Sequence, residues 1–277
     1  QDQFSKKKII IKNIIKSNIS KKKFLSNINK AKKYIKIGDI FQVVLSQRFE
    51  TKLTKNPSDI YKKLRITNPS PFMFFFNFSD FQIIGSSPEI LVRLRKNKLT
   101  IRPIAGTRPR GKNPTHDKFY KNQLLNDKKE LSEHLMLLDL GRNDIGKVSK
   151  INTVKVTEKF KIEKYSHVMH IVSNVEGNFD EKYSLLDTML AGFPAGTVTG
   201  APKIRAMEII DELEKSKRKM YAGSIGYFSA DKNFDTCIAL RTALIKNNKF
   251  YVQSGAGIVA DSIPEKEYSE TVHKAKA

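Results

Sequence analysis

Apolar residues along the chain switch between helical spacing and strand-like runs, which predicts a mixed α and β domain. Helical spacing and end signals predict helices over 26–34, 58–66, 115–140, 183–190 and 202–214, and a last one that opens at 262–265 as a capping box. Strands are predicted over 40–49, 72–78, 81–84, 90–95, 165–176, 223–230, 236–246 and 249–253. Because hairpins outnumber strand–helix–strand crossovers, the pattern favours an α+β fold with large antiparallel sheets over a doubly wound one.

The two ends of the chain lack the features of complete domain boundaries. Residues 1–23 are rich in Lys, Ile, Asn and Ser and are interpreted as a linker or the remnant of a missing N-terminal part. Residues 24–277 are predicted to form one domain that is cut inside its last helix. No signal-peptide pattern or apolar run long enough for a spanning helix is present, and one cysteine excludes a disulfide scaffold. We expect a cytoplasmic protein with no membrane partner.

The formal charge of +23 is the composition's most unusual feature and suggests nucleic-acid binding. However, only 11 of the 51 basic residues are arginine, and the lysines are spread over the whole chain together with Ile and Asn. An AT-rich coding sequence imposes that composition on tolerant surface positions. We therefore expect no nucleic-acid partner, and a basic nucleic-acid-binding domain is the alternative.

Carboxylates at helical spacing are the first candidate chemistry. Glu130 and Glu133 form one Glu-x-x-Glu pair, and Glu267 and Glu270 form another. A spacing of three places both carboxylates of a pair on one helix face. If the two pairs converged, their repulsion would favour a divalent cation, and oxygen ligands point to Mg²⁺. Spacing alone does not show that the pairs converge, and two separate solvated helix faces are the alternative.

Other polar residues leave similar alternatives. Arg241 lies in an apolar segment predicted as a strand, so it needs either a ligand carboxylate or an internal salt bridge. His134, His167 and His170 are site candidates or hydrogen-bonded structural histidines. Glycine-rich segments at 104–111, 194–203 and 254–257 are interpreted as turns, and none of them matches a nucleotide-binding motif. No Gly-x-Ser-x-Gly motif supports covalent hydrolysis.

Taken in order, several segments resemble the chorismate-utilising enzymes, and within that family the large subunits that make anthranilate. The resemblance runs from about residue 35 to the C-terminus and rests on 38–44, 68–73, 85–89, 102–110, 129–144, 165–170, 194–203 and 255–261. It implies two large antiparallel sheets packed face to face, with helices outside and the site between the sheets. Ser132, Phe72 and Thr199 depart mildly from the family's commoner residues.

The resemblance also implies roles for individual residues. Mg²⁺ would lie between Glu133 and Glu270, with Glu130 and Glu267 reaching it directly or through water, and would hold the ring carboxylate of chorismate. Glu89 would be the general acid, His170 would assist pyruvate elimination, and Lys274 would be an electrostatic partner. The implied substrate-binding residues are Thr107, Thr197, Tyr221, Arg241, Gly255, Ala256 and Gly257.

Two positions separate the branches of this family. Gln42 stands where water-using members carry a lysine base, and Ala105 stands where aminodeoxychorismate synthases carry a nucleophilic lysine. Both differences favour amination of chorismate at C2 with ammonia, followed by loss of pyruvate to give anthranilate, the first committed step of tryptophan biosynthesis. The alternatives are aminodeoxychorismate synthase, isochorismate or salicylate synthase, and a non-catalytic fragment.

The resemblance finally implies partners. The sequence contains no glutaminase nucleophile motif, so glutamine-derived ammonia would come from a separate amidotransferase subunit. Pro69, Ser70, Pro71 and Met73 resemble one wall of a tryptophan feedback site. The other wall belongs to a part of the family that this chain lacks, so tryptophan is expected to inhibit the full-length protein.

Overall fold

Two antiparallel β-sheets and eight helices make up the computed structural model, which describes residues 15–165 and 168–276. The helices are α1 (Lys21–Lys36), α2 (Pro57–Thr67), α3 (Pro114–Leu125), α4 (Lys128–Gly146), α5 (Leu185–Ala191), α6 (Gly196–Thr199), α7 (Lys203–Leu213) and α8 (Pro264–Lys274). The strands up to the middle of the chain are β1 (Lys16–Ser17), β2 (Gln42–Lys52), β3 (Phe72–Asn77), β4 (Gln82–Ser87), β5 (Ile90–Arg95), β6 (Lys98–Ile101) and β7 (Ile104–Pro109). The later strands are β8 (Lys155–Lys164), β9 (Val168–Asn178), β10 (Gly200–Ala201), β11 (Ser224–Phe228), β12 (Phe234–Ile238), β13 (Thr242–Lys246) and β14 (Lys249–Ile258).

Each sheet has seven strands, and the predicted α+β class with two large antiparallel sheets is confirmed. The first sheet has the order β1-β2-β14-β13-β4-β3, with β10 also paired to β2. The second sheet has the order β11-β12-β5-β6-β9-β7, with β8 also paired to β9. Helices α1 and α7 pack on the first sheet through Phe24, Ile28, Ile209 and Leu45, all of them buried. Over the described residues, no helix is long and apolar enough to cross a membrane.

The predicted helix over 115–140 is wrong, because two helices occupy this region. Helix α3 ends at Leu125, and the Asp127 side chain accepts hydrogen bonds from the backbone N–H groups of Lys129 and Glu130. An aspartate in this role caps the N-terminus of a new helix. The apolar spacing is similar on both sides of the break, which explains why periodicity alone joined them.

The predicted strand over 236–246 is also wrong in one respect that matters for the site. It is split into β12 of the second sheet and β13 of the first sheet. Arg241 lies in the link between the two strands with a left-handed φ of 46°. The chain thus crosses from one sheet to the other beside this arginine, which was expected inside a strand.

Glycine-rich segments expected to be turns are partly extended. Residues 104–109 form β7, and 255–257 belong to β14, whose Gly255 and Gly257 face Ser46 and Val44 of β2 in register. The strand β8, which pairs with β9, was not predicted. Its exposed and half-buried positions give it too weak an apolar pattern to be recognised from sequence.

One expectation near the C-terminus is wrong, and part of the N-terminal segment forms regular structure. Residues 16–17 and 21–23, in the segment interpreted as a linker or the remnant of a missing N-terminal part, form β1 and the start of α1, and Lys16 pairs with Glu50. Ser262 was expected to cap α8, but the N-cap is Ile263, without a side-chain hydrogen bond. The Ser262 hydroxyl instead accepts a hydrogen bond from the Val259 backbone N–H.

Candidate active site

Several of the predicted site residues, here called the candidate site, lie close to one another, and glycine makes their closest contact possible. A Cβ at Gly257 of β14 would lie 2.9 Å from Gln42 Nε2 and 3.6 Å from Glu133 Oε1. The absence of a side chain therefore lets β14, β2 and α4 meet at one point. Gln42 is buried, and its Oε1 has no hydrogen-bond partner among the described residues. A buried acceptor without a donor is costly unless a ligand or water supplies one.

Glu89, in the bend between β4 and β5, is a buried carboxyl group with an unusual pKa. Only 7% of the residue is exposed, and its backbone carbonyl accepts a hydrogen bond from Ile238 N–H. Burial raises the pKa of Glu89 to about 8, although the nearby Thr197 hydroxyl and the charge of Lys274 oppose the shift. Glu89 is therefore protonated at neutral pH and can donate a proton.

His170 on β9 has a well-defined orientation. Its Nδ1 lies 3.1 Å from the Gly106 carbonyl oxygen and 3.0 Å from Thr107 Oγ1, both on β7. Because a carbonyl oxygen can only accept, Nδ1 carries the proton and Nε2 keeps its lone pair. Burial lowers the pKa of His170, with the charges of Arg241 and Lys274 adding to the effect. The neutral imidazole is thus favoured.

The four predicted metal-binding glutamates approach one another without forming a ready-made cage. Burial is the main cause that raises the pKa of Glu133 to about 7, and the charges of Glu130 and Glu270 raise it further. The pKa of Glu267 is also raised, by burial and by Glu270. Over residues 15–165 and 168–276, no group of three or more His, Cys, Asp or Glu side chains is arranged closely enough to hold a metal ion.

Two of these carboxylates already have cationic partners. Arg108 Nη1 lies 3.1 Å from Glu130 Oε1, and Lys274 Nζ lies 2.6 Å from Glu270 Oε1. The donor set still suits Mg²⁺ chemically, since it consists of carboxylate oxygens that repel one another strongly enough to shift a pKa.

Arg241 and Tyr221 are both available for an anion. Arg241 is exposed, and among the described residues no carboxylate pairs with it. The internal salt bridge that was the alternative at the sequence level is thus not found in the part of the chain that is described. Tyr221 is buried, and burial raises its pKa to about 12, so its hydroxyl remains a hydrogen-bond donor. A Cβ at Gly255 would lie 2.8 Å from the Tyr221 hydroxyl oxygen.

Lys274 connects the C-terminal helix to the candidate site. Its Nζ donates to the Gly255 carbonyl oxygen at 3.2 Å in addition to its contact with Glu270. Ala256, between the two glycines of β14, is fully buried. The predicted substrate-binding and metal-binding residues therefore lie on elements that contact one another.

Other candidates from the sequence lie elsewhere in the fold or outside the described residues. His134 is fully buried, and its Nε2 lies 2.7 Å from Ser173 Oγ, which identifies it as a structural histidine. His167 lies outside the described residues. The predicted tryptophan-site wall, Pro69, Ser70, Pro71 and Met73, lies at the start of β3, which is the edge strand of the first sheet.

Sequence reasoning missed the polar network that lies beneath the site. Arg218 and Glu214 form a buried ion pair at 2.6 Å, and Arg108 pairs with Glu130 and Asp127. One signal for them was available. Lysine supplies most of the positive charge of this chain, and arginine differs from it by a planar fork of donors that can bind two acceptors at once. The scarce arginines were therefore candidates for such positions.

Comparison with known proteins shows the family of the chain. A family described as chorismate binding enzyme matches residues 6–277. Anthranilate synthase component 1 of Cereibacter sphaeroides is 60% identical over 263 residues, which cover 95% of this chain and 53% of the relative. The same component of Aquifex aeolicus is 56% identical, with 95% of this chain and 53% of the relative covered. The chain spans about half the length of the curated relatives it matches.

Solved structures show the same fold. The crystal structure of anthranilate synthase component I from Streptococcus pneumoniae superposes with a TM-score of 0.90 at 48% identity, covering 96% of this chain and 59% of that one. MenF, the menaquinone-specific isochorismate synthase of Escherichia coli, superposes with a TM-score of 0.85 at 26% identity, covering 95% and 61%. The architecture is thus common to an anthranilate synthase component and an isochorismate synthase.

Proposed function

The chain belongs to the chorismate binding enzymes, and we propose from that premise that the whole protein is the large subunit of an anthranilate synthase. It would aminate chorismate at C2 with ammonia and then eliminate pyruvate. The observation that carries the choice of nucleophile is Gln42, whose buried Oε1 lacks a hydrogen-bond donor among the described residues. A carboxamide cannot take a proton from water, but it can accept an N–H from ammonia, which already has its own lone pair.

Glu89 supports the first step. As ammonia attacks C2, the ring double bonds shift, the bond from C4 to its hydroxyl breaks, and the departing oxygen needs a proton. A neutral carboxyl group with a pKa of about 8 can supply that proton at neutral pH. The raised pKa has a structural cause, because burial of the residue disfavours the charged form.

His170 supports the second step. With Nδ1–H directed at the Gly106 carbonyl, Nε2 is the free nitrogen that can accept the proton lost from C2 as pyruvate leaves. The lowered pKa of His170 keeps the ring neutral and able to act as a base. Arg241 and Tyr221 would bind the enolpyruvyl carboxylate, and Thr107, Thr197 and β14 would line the remaining site.

Glu130, Glu133, Glu267 and Glu270 would hold Mg²⁺. When bound, the ion would neutralise and orient the ring carboxylate of chorismate. The mutual repulsion of these carboxylates supports this assignment, since a divalent cation would relieve it.

The remaining partners follow from the same proposal. Glutamine-derived ammonia would come from a separate amidotransferase subunit, and residues 24–277 would contribute the catalytic domain. Pro69, Ser70, Pro71 and Met73 would form one wall of a tryptophan site that the full-length protein completes. We place this biosynthetic enzyme in the cytoplasm.

The test is an anthranilate fluorescence assay with chorismate, Mg²⁺ and a high ammonium concentration, with the product identified by mass. We expect anthranilate, its loss with EDTA, and its loss in Glu89→Gln, whereas Glu181→Gln, a change of an exposed glutamate, should behave like the wild type. Isochorismate or salicylate as the product would contradict the argument from Gln42. Aminodeoxychorismate would contradict the argument from Ala105.

A further inference from the structure

A buried ion pair lies directly beneath the Tyr221 ring. Arg218 donates from Nε to Glu214 Oε2 at 2.9 Å and from Nη2 to Glu214 Oε1 at 2.6 Å. The Arg218 guanidinium carbon lies 5.5 Å from the centre of the Tyr221 ring. The side chains are only 14% and 8% exposed, so the pair is shielded from water on most sides.

The same guanidinium also binds two backbone carbonyls from different elements. Arg218 Nη1 donates to Val198 O at 2.7 Å, and Nη2 donates to Val44 O at 2.6 Å. Val198 follows Thr197 in α6, and Val44 of β2 faces Gly257 of β14 in register. One side chain therefore links α6, which carries Thr197, to strand β2 beside β14.

Glu214 extends the network to the glycine strand. Its Oε1 accepts hydrogen bonds from Ser46 N–H at 2.7 Å and from Ser46 Oγ at 3.0 Å. Ser46 faces Gly255 in the β2–β14 register, and Gly255 is the residue that lies against the Tyr221 hydroxyl. Glu214 and Arg218 thus bind backbone and side-chain groups on the elements that surround Tyr221.

We propose that Arg218, with Glu214 as its counter-charge, is a positioning residue that fixes Tyr221 and strand β14 for binding the carboxylates of chorismate. This inference rests on the proposed function of the site. Arg218 is not expected to touch the substrate, because its donors are directed at protein acceptors. It acts by holding the Tyr221 ring in one orientation and the glycine strand at one distance.

Arginine is required here for a geometric reason. A planar fork serves a carboxylate and two carbonyls at once, whereas a lysine ammonium is a single point on a flexible stem. In Arg218→Lys the charge remains, but at least one buried carbonyl loses its donor, which permits the ring and the strand to shift. The variant therefore tests the hydrogen-bond geometry of Arg218 while the positive charge at this position is kept.

The experiment compares Arg218→Lys with Arg205→Lys in the anthranilate assay. Arg205 is a matched control, since it also pairs with carboxylates and lies 5.2 Å from an aromatic ring, that of Tyr34, but it is on the outer helix α7. We expect Arg218→Lys to raise KM for chorismate about tenfold with kcat changed far less, which is the mark of lost ground-state binding. Arg205→Lys should leave both values unchanged.

A double-mutant cycle with Tyr221→Phe distinguishes positioning from general damage. If Arg218 acts through Tyr221, adding Arg218→Lys to Tyr221→Phe should reduce kcat/KM by much less than it does in the wild type. An unchanged KM in Arg218→Lys, or two effects that simply multiply, would overturn the inference. If Arg218→Lys does not fold, Glu214→Gln replaces it in the same cycle with the same criteria.

A measurement that needs no turnover keeps the two proposals apart. The chain has no tryptophan, so its near-ultraviolet circular dichroism comes from tyrosine and phenylalanine. The contribution of Tyr221 is the difference between the wild type and Tyr221→Phe, and we expect Arg218→Lys to lose most of it. If the spectrum of Arg218→Lys keeps this contribution, the positioning role is refuted. If the wild type makes no anthranilate, only the proposed function is refuted.

Discussion

Replacing Glu89 with glutamine should stabilise the protein against unfolding by an amount that grows with pH. The pKa of Glu89 is about 8 in the folded protein, against an ordinary value of 4.5. Between these two values the unfolded chain gives up a proton that the folded protein keeps. The free energy of unfolding of the wild type therefore falls by about 1.4 kcal/mol per pH unit. Glutamine is neutral throughout, so the Glu89→Gln variant does not undergo this loss, which reaches about 4 kcal/mol at pH 8.

Urea unfolding of both proteins at pH 5, 6, 7 and 8 measures this difference directly. Other groups that titrate are common to the two proteins, so their contributions cancel in the comparison. Glu181→Gln, a change of an exposed glutamate, is the control for the substitution itself. A stability difference between Glu89→Gln and wild type that stays constant over this pH range would show that Glu89 is ionised normally, and it would refute the general-acid argument.

Three further predictions concern activity and packing. In the anthranilate assay at a fixed concentration of free ammonia, kcat/KM of the wild type for chorismate should decrease tenfold per pH unit above about pH 8, where Glu89 loses its proton, and a profile that stays flat to pH 9.5 would contradict this. Gly85→Ala should lower the free energy of unfolding by about 2 kcal/mol, because a Cβ there would overlap the ring of Phe74; urea unfolding with no loss would show that the ring can move aside. Asp235→Asn should cost about 2 kcal/mol in the same measurement, because this buried carboxylate pairs with both arginines of β5, and an unchanged midpoint would mean that the arginines find other partners.

Much of the fold could be predicted because its signals are local. The helix over Pro57–Thr67, the strand over Ile90–Arg95 and its hairpin at Lys96 and Asn97 follow from spacing and turn residues within a few positions. The failures have two different causes. The crossing at Arg241 depends on which sheet each flanking strand joins, and that is decided by distant strands. Asp127 is a local N-cap of α4, but it lies inside a continuous apolar pattern whose periodicity hides the break between α3 and α4.

The candidate site also contains residues that the sequence could suggest and residues that only the structure reveals. Motif order and side-chain chemistry made Glu89, His170, Gln42 and the carboxylate pairs candidates, since these properties belong to the residues themselves. Sequence could not separate His134, a buried partner of Ser173, from a site histidine. It also could not find Arg218, whose four acceptors come from three separate segments.

The sequence by itself determined the family, the α+β class and the kinds of chemical group present. Only the tertiary structure decided which groups are buried, which are paired and which are left for a ligand. The physical reason is that desolvation and hydrogen bonding depend on residues far apart in the chain. Thus Glu89 has a pKa of about 8 because of where the fold buries it. Arg241 is available for an anion because no carboxylate of the described residues reaches it.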